Sequence, residues 1–168
     1  LTDSGIIGIG EASPIQVITG ETQGTNIDVA QSLRQALVGR DPLAIESLNT
    51  LAGAYVHSNP SIVAAFHMAL YDILGKAAGL PVFRLLGGDK TSFETDKTLG
   101  IATADEMALG AKAVIAKGFS AVKLKIGQSP DADVARVQAV RDAIGPGPAI
   151  RVDANQGYSV PQAIYVLR

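Results

Sequence analysis

The stretch Ser120-Ala-Val-Lys-Leu-Lys-Ile126 places two lysines inside a run of residues typical of a buried strand. Because side chains alternate across a strand, Lys123 and Lys125 share one face, and the apolar residues beside them share the other. The apolar face must pack against a core, so the lysine face points inward, where a cation is costly without a partner. Repulsion between the two ammonium groups favours loss of a proton from one of them. The pair is therefore a candidate general base.

Alternating strand and helix patterns surround this stretch. Further strands are predicted at 96–101 and 149–155, and helix start signals, including two capping boxes, predict helices at 104–117, 130–144 and 159–168. This alternation predicts three parallel βαβ-type units. Three units cannot close a barrel, and a short parallel sheet needs cover on both faces. We therefore expect the chain to be truncated.

The N-terminal residues have a different pattern. Isoleucines and glycines in residues 1–12, followed by Pro14, predict the edge strand of a small antiparallel sheet whose partner strand is missing from the chain. Residues 13–25 are predicted to form a loop with exposed apolar side chains, among them Ile18. Such side chains either line a ligand site or pack loosely onto their own domain.

Three helices are predicted next. The first covers residues 28–38. The second covers residues 41–54 and begins at the N-cap pair Asp41-Pro42, and the third is a long helix over residues 60–78 that begins at Asn59-Pro60. The Gly-Gly-Asp turn at 87–89 then separates two predicted domains. They are an α+β domain over residues 1–90 and a βα domain over residues 91–168.

Composition excludes several classes of function. The 168 residues are 47% hydrophobic with a net charge of -2, which favours a packed globular protein without a nucleic-acid or membrane partner. The absence of cysteine makes the reducing cytoplasm the expected location. Because no glycine-rich phosphate loop follows a strand, a nucleotide site is not expected. A homo-oligomer is compatible with this composition.

Polar side chains also mark the ends of the neighbouring strands. Asp153 and Asn155 share a face with Arg151 at the carboxyl end of the third strand, where sites lie in βα folds. Asp153 is either a Mg²⁺ ligand or a strand-end carboxylate bonded to nearby backbone groups. Thr98 holds the corresponding position on the first strand, where it either contacts a ligand or is simply a good strand residue.

Taken together, these motifs resemble the muconate-lactonizing branch of the enolase superfamily. The resemblance rests on Ala-Val-Lys-Leu-Lys-Ile-Gly (121–127) with Arg-Val-Asp-Ala-Asn-Gln (151–156), and on Gly-Ile-Gly-Glu-Ala-Ser-Pro (8–14) upstream. Residues 65–88 are similar to the junction between that branch's capping domain and its barrel. The resemblance implies a capping domain of antiparallel strands and a helical bundle, followed by the first βα units of a TIM-type (β/α) barrel.

Within the branch, segments 95–101 and 18–21 are most similar to dipeptide epimerases that act on L-Ala-D/L-Glu. The resemblance implies a 1,1-proton transfer α to a carboxylate, with Lys125 as base and Lys123 as the neighbouring charge that lowers its pKa. Asp153 would be one ligand of Mg²⁺, and the other ligands would lie outside this chain. Thr98, Ile18 and Lys123 would contact the substrate, and Asn155 would support the metal site.

The implied chemistry is physically consistent. Removing a proton beside a carboxylate builds negative charge that a divalent cation stabilises, and enolase-type sites are known to combine a lysine or histidine base with Mg²⁺. A lysine base has to titrate at about pH 7–8 rather than roughly 10.4. The acid on the opposite face of the carbon is expected outside this chain, so we expect the 168 residues alone to be inactive.

Other functions stay open. An N-acylamino acid racemase, an o-succinylbenzoate synthase or a muconate cycloisomerase would use the same lysine pair and metal. A βα scaffold that binds a small acid without catalysis is a further alternative. A Schiff-base aldolase would need one desolvated lysine but would give Asp153 no task.

Overall fold

The computed structural model describes all 168 residues, which divide into two compact units, Leu1–Lys90 and Thr91–Arg168. The first unit is helical and the second is built on a parallel sheet. None of the helices combines the length and the apolar character that crossing a membrane requires.

Five helices make up the first unit: α1 (Gln16–Thr19), α2 (Gln23–Leu37), α3 (Ile45–Tyr55), α4 (Pro60–Ala78) and α5 (Val82–Leu85). Helix α4 begins as predicted, with Asn59 at the N-cap and Pro60 in the first turn. It ends at Gly79, whose φ of 67° is the left-handed conformation that glycine adopts without a steric cost.

The edge strand predicted at residues 1–12 is not confirmed, because the first unit contains no antiparallel strands. The segment is extended, but a ladder needs a second strand and the unit offers none. Helix α4 supplies partners instead, because the Ile9 N–H donates to Asp72 Oδ2 at 2.8 Å and Lys76 Nζ donates to the Ile7 carbonyl at 2.8 Å. Side chains of one helix thus bind two backbone groups of this segment.

The predicted loop at residues 13–25 is only partly a loop, since it contains α1 and the start of α2. Helix α2 begins at Gln23 rather than at the expected position 28. Thr22 caps it in a capping box: its hydroxyl accepts from the Thr25 N–H at 3.2 Å, and Thr25 Oγ1 accepts from the Thr22 N–H at 2.8 Å. A Thr–Thr box lacks the Glu or Gln that normally identifies the motif in a sequence.

The predicted helix start at Asp41-Pro42 is also wrong. The Asp41 carboxylate accepts the Leu43 N–H at 2.9 Å and forms a turn, and α3 begins at Ile45. An Asx turn and an N-cap can both use a side-chain bond to the residue two positions ahead, so the sequence does not separate them. Here the Ala44 N–H donates to the Asp41 carbonyl at 3.2 Å, which closes a turn before the helix begins.

The second unit contains three strands and three helices in strict alternation, which confirms the predicted βα pattern. They are β1 (Lys97–Leu99), α6 (Ala104–Ala116), β2 (Ala121–Lys125), α7 (Pro130–Ile144), β3 (Ala149–Asp153) and α8 (Val160–Val166). The strands pair in parallel in the order β1-β2-β3. The capping boxes predicted at Thr103 and Ser159 open α6 and α8.

One apolar core lies between the sheet and its helices. Val122 and Leu124 are fully buried and pack with Met107 and Ala111 of α6 and Val140 of α7. The predicted apolar face of β2 is therefore confirmed. The opposite face carries the two lysines, whose side chains keep about a third of their surface exposed.

We expect Leu124→Ala to lower the free energy of unfolding by about 2–5 kcal/mol, because it removes a buried side chain from a packed core. Urea denaturation followed by circular dichroism would measure the change. The matched control is Leu109→Ala on α6, where 71% of the leucine is exposed and a change within about 0.5 kcal/mol is expected. Equal losses for the two variants would contradict the assignment of this core.

Candidate active site

The strand register places the polar side chains of the second unit in two rows. Thr98, Lys123 and Arg151 are neighbours across the three strands, and Lys125 lies beside Asp153 in the next row. Residues paired in a parallel sheet point to the same side, so all five side chains lie on the face opposite the core. This face is the candidate site.

Asp153 binds both lysines. Its Oδ2 lies 2.8 Å from Lys123 Nζ and 2.8 Å from Lys125 Nζ. Lys125 Nζ also donates to Asn155 Oδ1 at 2.8 Å, and the Asn155 N–H donates to Asp153 Oδ1 at 3.0 Å. Asn155 adopts a positive φ of 49°, which turns the chain directly after β3 and brings the backbone N–H of Asn155 back to the end of the strand. Four of the residues selected from the sequence therefore form one hydrogen-bonded cluster.

The two ammonium groups stabilise the ionised form of Asp153. Hydrogen bonds from Lys123, then from Lys125 and from the Asn155 N–H, hold the pKa of this carboxyl well below its ordinary value of 3.8. These bonds outweigh the partial burial that acts in the opposite direction. Asp153 is therefore ionised at neutral pH, which is the state that a metal ligand needs.

A second ion pair lies on the same face. Arg151 Nη1 donates to Asp96 Oδ2 at 2.7 Å, connecting β3 to the residue before β1. With the lysine cluster, the face carries three cations and two carboxylates, which leaves one net positive charge. A site of this charge favours an anionic ligand.

The residues of this chain could provide one metal ligand. Asp153 is an ionised oxygen donor at a strand end, which suits Mg²⁺. No group of three or more His, Cys, Asp or Glu side chains lies together in a geometry that could hold a metal ion. The donor set present therefore fits a Mg²⁺ site in chemistry but provides only part of it.

The two remaining predicted residues lie in different units. Thr98 is exposed on β1 in register with Lys123, within the polar face of the second unit. Ile18 belongs to α1 of the first unit, and 73% of it is exposed. Their contacts with a substrate stay predictions.

The sequence reasoning missed a buried carboxylate behind the site. Asp133 lies in the first turn of α7, where the helix dipole alone would explain an acidic residue. It is nevertheless fully buried and accepts bonds from the N–H groups of residues 127–129 and from Tyr158. The sequence offered one sign of this role, the presence of Arg136 three residues after Asp133. Acidic and basic residues at this spacing are also common on solvated helix surfaces.

Comparison with known proteins identifies the class to which these features belong. Residues 1–87 match the mandelate racemase / muconate lactonizing enzyme N-terminal domain, and residues 106–168 match the enolase C-terminal domain-like family. The chain belongs to the mandelate racemase/muconate lactonizing enzyme family. The second unit is thus the start of the family's barrel, and the first is its N-terminal capping domain.

Particular relatives share sequence over almost the whole chain. The D-Ala-D/L-Ala epimerase of Cytophaga hutchinsonii is 41% identical over 99% of the chain, and the structure of the dipeptide epimerase from this organism with Mg and D-Ala-L-Val superposes with a TM-score of 0.94. The L-Ala-D/L-Glu epimerase of Bacillus subtilis is 36% identical over 99% of the chain, with a TM-score of 0.96 for its substrate-liganded complex. The N-succinyl-L-Arg/Lys racemase of Bacillus cereus is 38% identical over 94% of the chain, with a TM-score of 0.93.

The chain spans about half the length of the curated relatives it matches. It covers 45% of the Cytophaga hutchinsonii protein, 46% of the Bacillus subtilis protein and 43% of the Bacillus cereus protein.

We expect Asp153→Asn to remove a pH-dependent part of the stability. The folded-state pKa of Asp153 is depressed, so its stabilising contribution is complete above about pH 4 and is lost as the pH falls through the folded-state pKa. The difference in unfolding free energy between wild type and Asp153→Asn should therefore shrink as the pH falls below about 4. Urea denaturation at a series of pH values would measure it.

The control for this experiment is Asp105→Asn, which changes an exposed carboxylate in the first turn of α6. We expect this variant to lose less unfolding free energy than Asp153→Asn at neutral pH, because Asp105 forms no ion pair with a lysine or arginine. A difference for Asp153→Asn that stays constant down to about pH 2 would contradict the assigned contact with the two lysines.

Proposed function

We propose that the full-length protein is a Mg²⁺-dependent epimerase that moves a proton at the carbon α to the carboxylate of a dipeptide such as L-Ala-D/L-Glu. The observation that carries this proposal is the contact of Lys123 and Lys125 with Asp153 at the ends of neighbouring strands. The epimerases and the racemase among the relatives support the reaction type. The activity would be an isomerisation that breaks the C–H bond on one face of this carbon and forms a new C–H bond on the opposite face.

Lys125 is the proposed base. It is the lysine nearer the carboxyl end of β2, and Asn155 and Asp153 fix the position of its Nζ from two sides. A base must lie within hydrogen-bond distance of the proton that it removes, so a fixed Nζ is an advantage. Lys123, one row away, supplies a positive charge toward the substrate carboxylate.

Asp153 is the proposed ligand of Mg²⁺ in this chain, and Asn155 would hold it in place through its N–H. When bound, Mg²⁺ stabilises the negative charge that develops on the substrate carboxylate after proton removal. The structure of the Cytophaga hutchinsonii relative contains Mg and a dipeptide, which supports this assignment. The remaining ligands and the acid on the opposite face of the carbon would come from other parts of the full-length protein.

The substrate is proposed to be a dipeptide, and the net positive charge of the strand face favours its carboxylate. Thr98 and Ile18 are the proposed side-chain contacts. An apolar side chain at position 18 is also compatible with apolar dipeptides, and the Cytophaga hutchinsonii relative was crystallised with D-Ala-L-Val. An N-acylamino acid racemase is the second candidate, because the Bacillus cereus relative is an N-succinyl-L-Arg/Lys racemase.

We expect full-length protein to exchange the α-hydrogen of the Glu residue of L-Ala-L-Glu with deuterium from solvent when Mg²⁺ is present. Proton NMR would follow the loss of the α signal. Lys125→Ala should lower the exchange rate by at least about a hundredfold, because it removes the base. Chelation of the metal should have a comparable effect, because the developing charge is then not stabilised.

The matched control is Lys112→Ala, which removes an exposed lysine from α6. Its exchange rate should equal that of wild type. Full exchange by Lys125→Ala would contradict the base assignment, and absence of exchange with any dipeptide or N-acylamino acid would favour a binding scaffold without catalysis.

A substrate panel is expected to separate the two candidates. Full-length protein would be offered dipeptides with acidic, basic and apolar C-terminal residues, together with N-succinyl and N-acetyl amino acids. We expect kcat/KM for at least one dipeptide to exceed that for every N-acyl compound by about tenfold or more, which corresponds to about 1.4 kcal/mol of transition-state binding. The reverse order would assign the protein as a racemase.

A further inference from the structure

The buried Asp133 and its partly buried partner Arg136 connect the loops that follow all three strands of the second unit. Asp133 Oδ1 accepts from Arg136 Nη1 at 2.7 Å, and the aspartate is fully buried. Arg136 Nε in turn donates to the Ala102 carbonyl at 2.8 Å, in the loop between β1 and α6. The guanidinium therefore holds the loop that follows the strand of Thr98.

The other carboxylate oxygen holds the loop after the lysine strand. Asp133 Oδ2 accepts the backbone N–H groups of residues 127, 128 and 129 at 3.0, 3.1 and 3.1 Å. Three consecutive N–H groups on one oxygen leave this loop little conformational freedom. The first of these residues lies two positions beyond Lys125.

The same oxygen also holds the loop after β3. Tyr158 donates its hydroxyl proton to Asp133 Oδ2 at 2.6 Å. Tyr158 follows Asp153 and Asn155 by a few residues, so the β3 loop is attached to the β2 loop through a single oxygen atom. Burial and the adjacent carboxylate raise the pKa of Tyr158 to about 12, so its proton stays in place at neutral pH.

The backbones of these two loops also touch each other. Gly127 has a φ of 111°, and a Cβ placed on it would lie 2.6 Å from the Ala154 carbonyl oxygen. A Cβ on Gly157 would collide with the Gly127 backbone. The loops are therefore packed at a distance that only glycine permits, and Asp133 joins them from behind.

We propose that Asp133 is the positioning residue of this site: through Tyr158 and the N–H groups of residues 127–129, it sets the distance between Lys125 and Asp153. Asp133 does not belong to the charged strand face and acts only through the loops. The consequence for catalysis rests on the function proposed above, but the consequence for the position of Lys125 does not. A displacement of about 1 Å in such a site can reduce a rate by up to about a hundredfold.

Tyr158→Phe in the full-length protein tests this proposal, because it removes one hydroxyl and leaves the ring and Asp133 unchanged. The chain offers a matched control in Tyr165→Phe, since Tyr165 of α8 donates to Asp131 of α7 at 2.7 Å on the exposed surface. Both variants lose one tyrosine–aspartate hydrogen bond, but only the first loses a bond to the strand-end loops.

Two measurements are made on wild type and both variants. The first is the rate of acetylation of Lys125 by dilute acetic anhydride, relative to exposed Lys112, determined by mass spectrometry. We expect the ratio to rise about threefold or more in Tyr158→Phe, because a displaced Nζ spends less time bound to Asp153, and to stay unchanged in Tyr165→Phe. The second is α-hydrogen exchange, where Tyr158→Phe should lower kcat about tenfold with KM within about twofold of wild type.

An equal acetylation ratio in Tyr158→Phe and Tyr165→Phe would overturn the proposal, because the lost bond would then have only a general effect on stability. A loss of kcat of the same size in both variants would overturn it as well. If wild type shows no exchange with any substrate, the proposed function fails, and the acetylation ratio alone decides whether Asp133 positions Lys125.

Discussion

The contact of one carboxylate oxygen with two ammonium groups is the interaction on which the second unit depends. Lys123 and Lys125 lie on the same side of β2 because alternation leaves no other arrangement once the apolar side chains are buried. Two like charges at this spacing on a partly buried surface repel each other. Asp153 is the partner of Lys125 across the ladder, and its Oδ2 lies 2.8 Å from both nitrogens. The parallel register of β2 and β3 therefore also places the carboxylate that compensates the charge of the two lysines.

This constraint connects the core with the site. Val122 and Leu124 are fully buried against α6 and α7, and this burial determines which face of β2 carries the lysines. A shift of one residue in the register would move both cations into the apolar core, where their desolvation would be prohibitive. The hydrophobic effect thus orients the lysines through the strand that carries them.

Local patterns in the sequence predicted the second unit well, whereas the predicted N-terminal strand is not confirmed. Thr103, Ser159 and Pro60 act within one turn of their own helices, so their effects can be read from neighbouring residues. The strand expected at residues 1–12 depended on a partner strand, and the backbone bonds to Asp72 and Lys76 of α4 instead. Strand formation is decided by pairing between distant segments, and that pairing is not encoded in the pattern of one segment.

The difference between local patterns and contacts between distant residues also explains which residues of the site could be predicted. Lys123, Lys125, Asp153 and Asn155 could be selected because each lies on a strand or at its end, where face and row follow from alternation. Asp133 could not be selected, because its partner Tyr158 lies 25 residues away and its burial arises from the packing of two loops. An acidic residue in the first turn of a helix is normally interpreted through the helix dipole, which accounts for the charge without requiring burial.

The geometry also reconciles the two sequence-based interpretations of Asp153, as a metal ligand and as a residue bonded to the strand-end backbone. An ionised carboxylate has about four acceptor positions, and three are used, by the two lysines and by the Asn155 N–H. The backbone N–H of Asn155 binds Oδ1 of Asp153, and the two lysine ammonium groups bind Oδ2. One oxygen therefore has a backbone partner and the other has charged side-chain partners. The backbone bond fixes the orientation of the carboxylate, and the lysine bonds keep it ionised. Orientation and charge are both properties that a carboxylate needs before it can bind a cation, so the structural role of Asp153 prepares it for the proposed one.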